Sequence, residues 1–168
     1  MHSVGEKIVY GGAGLMEIVD VREECFADIP RKYYVLRELA SSSDSQTFVP
    51  VDNEKLTASM YPILTKEEAH TLLSRINSIP CLEWHSDNRI RAEKFKSIID
   101  SGDREKLISL IKTVHEENSR RRKEGKKNSL ADENALRKAE RLLYSELAEV
   151  LGADENEISQ IILQTTCE

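Results

Sequence analysis

Between Lys7 and Val51 the apolar residues come in short runs broken by turn formers: KIVY at 7–10, LMEIVDV at 15–21, RKYYVLREL at 31–39 and TFVPV at 47–51. Runs of this length, rich in Val, Ile, Tyr and Leu, predict the strands of a small antiparallel sheet or barrel. After Val51-Asp52-Asn53 the spacing becomes helical, and 54–64 reads as a linker between the two regimes. Thr65 and Glu68 have the spacing of a capping box, and Ala69, Leu72, Leu73 and Ile76 then share one helical face. A second helix follows Trp84, buries Phe95, Ile98 and Ile99, and stops at Gly102. Asp103 caps a third, whose stripe of Leu107, Leu110, Ile111 and Val114 runs until Gly125. A fourth, from near Ser129 to Gly152, carries Leu136, Ala139, Leu143, Leu147 and Val150; Asp154 opens a short fifth with Ile158, Ile161 and Ile162. The pattern predicts an α+β chain: a β-domain over 1–53, a linker over 54–64, and a compact bundle of about five helices over 65–168.

Two local sequences define the candidate surfaces. Gly11, Gly12 and Gly14 are not followed by the Lys and Ser/Thr of a phosphate loop, so they predict a hairpin turn that uses positive φ. The polar stretch Ser41–Ser45 is a loop. A sheet of about fifty residues has few interior strands, and an open edge can take an added strand from a partner chain. The single tryptophan, Trp84, follows the helix breaker Pro80 and precedes the second bundle helix. An indole at a helix start is either a core residue covering the bundle's end or an exposed wedge.

Composition narrows the functional classes. The chain has 168 residues, 39% of them hydrophobic, and a formal charge of −6, which argues against unaided binding of bare nucleic acid. The charge is unevenly placed: residues 1–53 hold 5 basic and 9 acidic groups, residues 84–127 hold 13 and 8. Any nucleic-acid contact therefore belongs to the helical segment and needs a partner that raises its effective concentration. The run Arg120-Arg121-Arg122-Lys123 lies at a helix C-terminus, where the dipole favours cations, and reads first as a solvated end. Cys25, Cys81 and Cys167 are odd in number and widely spaced, as expected of reduced thiols. No apolar run is long enough for a membrane span and no export signal is evident, so a cytoplasmic protein is expected. His70, His85 and His115 lack metal-ligand spacing, and no nucleophile with a base or paired carboxylates emerges. No metal, no cofactor and no enzymatic activity are expected.

Three stretches in this order resemble the CarD/CdnL family of bacterial RNA polymerase-binding transcription regulators: IVYGGAG; RKYYVL followed by FVPVDN; and EWHSDNRIRAEKFKSIIDSGDREKLISLIKTV with LADENALRKAERLLYSELAEVLG. The resemblance implies a Tudor-like N-terminal domain that docks on the polymerase β subunit, and a helical domain that meets promoter DNA at the upstream edge of the melted region. The family's tryptophan falls on Trp84, which in relatives wedges into the minor groove at the upstream fork, independently of sequence. Arg89 matches a basic position placed near DNA, and Arg91 lies two residues on; both are expected as phosphate contacts. Arg22 lies near a basic polymerase-contacting position, Phe48 stands where some members use an arginine, and Arg37 is a further cation of the sheet. Ser86 and Asp87 occupy positions where many relatives carry a basic pair.

The expectation is thus a monomeric, non-enzymatic regulator that binds the polymerase β subunit through Arg22, Arg37 and Phe48. Trp84, Arg89 and Arg91 would stabilise the open promoter complex. The alternative is a protein-protein adaptor without DNA contact, in which Trp84 is an interface hot spot.

Overall fold

The computed structural model describes residues 1–166. It divides into two compact units, Met1–Ile63 and Leu64–Glu168, each with its own core.

The first unit is a five-stranded antiparallel sheet: β1 (Lys7–Tyr10), β2 (Gly14–Phe26), β3 (Ile29–Glu38), β4 (Gln46–Pro50) and β5 (Met60–Pro62), ordered β4-β3-β2-β1-β5. Ile8, Met16, Ile18, Tyr34, Leu36, Val49 and Met60 form one buried cluster. The β1-to-β2 turn uses Gly11 at φ +43° and Gly14 at φ +106°, so the predicted glycine hairpin is present. β2 and β3 pair from Met16↔Glu38 to Phe26↔Ile29, with an irregularity between Ile18 and Asp20. Their two-residue turn, Ala27-Asp28, has both φ values in the left-handed region, at 55° and 62°. That is the backbone of a type I′ hairpin, adopted here without glycine.

The expected boundary after Asn53 and the linker at 54–64 are corrected by this unit. Asn53 is the N-cap of a one-turn helix, α1 (Glu54–Thr57), accepting the Leu56 N–H through its side chain. The chain then returns to the sheet as β5, with Tyr61 opposite Val9. The signal was weak because β5 is only three residues long and ends at Pro62. A strand so short carries no legible alternation.

The second unit contains α2 (Lys66–Ser74), α3 (Asn88–Ser101), α4 (Arg104–Lys123), α5 (Leu130–Leu151) and α6 (Glu155–Thr166). Thr65 and Glu68 close the reciprocal capping box. Asp87, Asp103 and Ser129 cap α3, α4 and α5 through their side chains, and Gly102 ends α3 at φ +66°. Contacts of α4 with α5 pair Arg104 with Glu146, His115 with Glu140 and Arg121 with Asp132. Numbers rise on one helix as they fall on the other, so the two are antiparallel. Ile108, Leu110 and Ile111 of α4, Leu143 and Leu147 of α5, and Ile158 and Ile162 of α6 are fully buried.

Candidate functional site

The chain from Pro80 to Asp87 is neither helix nor strand, bends at Ser86 and joins the 3-10 turn at Ile76–Ser78 to α3, with Trp84 in its middle. Proline disfavours a helical conformation in the residue before it, which accounts for the break at Ile79. The strap is nevertheless held closely. Lys112 of α4 donates to the carbonyls of Ile76 (3.0 Å) and Ile79 (2.7 Å). The Leu82 N–H donates to Thr113 Oγ1 at 2.7 Å, and Cys81 Sγ donates to Glu116 at 3.3 Å. Burial and the Glu116 carboxylate both push the Cys81 thiol pKa up. At the far end Asp87 Oδ1 accepts the N–H groups of Arg89 and Ile90 and so starts α3.

Trp84 is half-buried. The guanidinium carbon of Arg91 stands 4.4 Å from the centre of its ring, and that of Arg121 stands 5.7 Å away. Both distances are within cation-π range. Arg91 itself is only 2% exposed. Its Nε and Nη2 donate to the two oxygens of Asp132 at 2.8 and 2.9 Å, a bidentate pair. Nη2 also donates to Asn88, and Nη1 donates to the carbonyls of His85 and Ser86. All five N–H groups of the guanidinium are thereby engaged.

This arrangement corrects the expectation that Arg91 contacts phosphate. It is a buried member of an intramolecular ion pair, with no donor left over. Arg89, by contrast, has a side chain 88% exposed, with only a long contact of 3.5 Å to Glu93. The reading of Arg120–Lys123 as a solvated end holds only in part. Arg121 turns inward, 19% exposed, to meet Glu117, Asp132 and the indole. Arg120 pairs with Glu117 and Glu124. Arg122 and Lys123 are exposed and have no ion-pair partner among the described residues.

On the sheet, Arg22 pairs with Tyr33 across β2 and β3, and Phe48 with Val35 across β3 and β4. Arg22 and Phe48 therefore share a face, with the guanidinium 5.7 Å from the ring. Arg22 is already paired with Asp20 at 3.1 Å and Glu24 at 2.6 Å. Arg37, farther along β3, pairs with Glu17 at 3.0 Å. Sequence reasoning missed Phe26 and Tyr33, which complete an aromatic trio with Phe48 at centroid distances of 5.2 to 6.2 Å. Phe26 and Ile29, at the hairpin tip, are 48% and 55% exposed.

A cleft of about 600 Å³ in the helical unit lies between α2 and the start of α4. Several of its charged groups are spent on structure: Glu68 on the capping box, Arg75 on Glu105, Arg104 on Glu146. Among the described residues no group of three His, Cys, Asp or Glu could hold a metal ion, and no helix is long and apolar enough to cross a membrane. Cys25 and Cys81 are free and exposed, whereas Cys167 lies outside the described residues.

Residues 81–163 match the family model for the C-terminal domain of CarD. The chain carries a CarD C-terminal domain, which points to a CarD-like transcription regulator. The matched segment contains Trp84, Arg89, Arg91, Arg121 and Asp132. No curated protein matches the chain. Asp87, where the resemblance led a basic residue to be expected, has a structural assignment here as the α3 N-cap.

Proposed function

We propose that this chain is a non-enzymatic CarD-like regulator that docks on the RNA polymerase β subunit through its sheet unit and stabilises the open promoter complex through Trp84. The observation that carries the reading is an indole held half-buried on a bonded strap with the guanidinium groups of Arg91 and Arg121 against its ring. Exposed cations stand nearby in sequence, Arg89 in the first turn of α3 and Arg122 and Lys123 directly after Arg121. An apolar ring bordered by positive charge suits the minor groove at a step that polymerase has already opened. The cations would contact phosphate and fix register without reading sequence. With a net charge of −6 the chain needs delivery by a partner. Arg22, Phe48 and Arg37 share a sheet face suited to that role, with Phe26 exposed at the neighbouring hairpin tip.

A wedge contributing about 1.4 kcal/mol shifts the open-to-closed ratio about tenfold. Trp84→Ala should therefore shorten promoter-complex lifetime with the cognate polymerase by about that factor, with polymerase binding unchanged. Equal lifetimes with docking intact would overturn the wedge.

A further inference from the structure

Position 91 falls on the buried stripe of α3, four residues before Phe95 and seven before Ile98. Position 132 falls on that of α5, four before Leu136 and seven before Ala139. Each stripe thus begins with a charge where an apolar side chain would fit the pattern, and the two charges meet. A buried ion pair is a poor way to add stability, because desolvation offsets most of the attraction and well-packed apolar residues often do as well or better. What an apolar pair could not do is grip the strap. The Arg91 fork holds the carbonyls of His85 and Ser86, immediately after Trp84, and lays a flat cation against the indole.

We infer that Arg91, locked by Asp132, is a positioning residue for Trp84: it fixes the direction in which the indole projects from the bundle and makes no contact with DNA itself. Asp132 Oδ2 also lies 4.0 Å from Arg121, so one carboxylate orients both guanidinium groups near the ring. An indole held in one posture loses less freedom on engaging its target, and that preorganisation is the contribution of the pair. The functional arm of this inference rests on the wedge reading above; the postural arm does not.

The chain's only tryptophan is Trp84, so intrinsic fluorescence reports this site alone. Arg91→Lys keeps the charge and loses the fork, and Asp132→Asn keeps the shape and loses the charge. In both variants acrylamide quenching of Trp84 should rise, and promoter-complex lifetime should fall by up to about tenfold, the Trp84→Ala value. In a Trp84→Ala background Arg91→Lys should have no further effect on lifetime. The salt dependence of DNA binding should keep its slope, whereas loss of a phosphate contact would lower it by about one. Unchanged quenching in folded Asp132→Asn, a reduced salt slope in Arg91→Lys, or an equal lifetime loss with and without the indole would each overturn the inference. If Trp84→Ala alone leaves lifetime intact, it is the wedge that fails, and quenching still decides whether Arg91 sets the posture.

Discussion

Removing the Glu146 carboxylate should destabilise the helical unit more than most single changes. Glu146, on α5, has a side chain only 3% exposed and receives the Arg104 Nε and Nη2 at 3.0 and 2.7 Å and the Leu64 N–H at 3.0 Å. Truncating one partner of a buried ion pair costs about 3–5 kcal/mol because the other charge is stranded. Arg104 is 17% exposed and can recover some hydration, which puts its share at the low end of that range. The Leu64 N–H loses its acceptor as well, worth about 1 kcal/mol. Glu146→Ala should therefore lose about 3–4 kcal/mol of unfolding free energy. Replacing both partners, Arg104→Met with Glu146→Leu, should stay within about 1 kcal/mol of the parent, since neither charge is left buried. Urea unfolding followed by far-ultraviolet circular dichroism, which weights the helices, measures both. A loss below about 1 kcal/mol for Glu146→Ala, or a double variant weaker than either single one, would refute the reasoning.

Two further outcomes follow from individual contacts. Thr113→Val keeps the shape of the side chain but removes the acceptor for the Leu82 N–H; hydrogen exchange at Leu82 should quicken by about tenfold for each 1.4 kcal/mol of lost protection, and an unchanged rate would show that Thr113 does not hold the strap. The Arg120 side-chain hydrogen bond, joined by that of Arg121 and opposed by burial, holds the Glu117 carboxyl below its ordinary value of 4.5. The stabilisation this gives is complete above the ordinary value and is lost as pH falls through the lowered one. The stability gap between the parent and Glu117→Gln should accordingly be constant near neutral pH and close in acid; a gap independent of pH would contradict it.

Much of the bundle was legible because caps and stripes agreed with each other. Thr65 with Glu68, Asp103, Ser129, Gly102 and Gly152 mark helix ends, and the apolar stripes between them are the buried ones. What escaped notice were charges sitting on those same stripes. Arg91, Asp132 and Glu146 occupy buried positions, and each takes its partner from another segment of the chain, so no local spacing joins them. Arg91 was accordingly expected as a phosphate ligand, from its nearness to Arg89. The helical register did hold the correction: a cation four residues before Phe95, on the side facing the core, has to be paired. β5 and the Phe26–Tyr33–Phe48 trio depend on strand pairing across the sheet, which three residues of MYP or a lone Phe26 cannot reveal.

The tethers on the strap bear on how its indole can respond. Lys112, Thr113 and Glu116 bind it to α4, and Arg91 binds it to α3. Displacing the strap backbone would break several of these bonds together, so the base on which the indole stands does not shift independently of the helices. Turning those helices moves that base with them, and a shift in their packing far from the ring changes the angle at which the ring is offered.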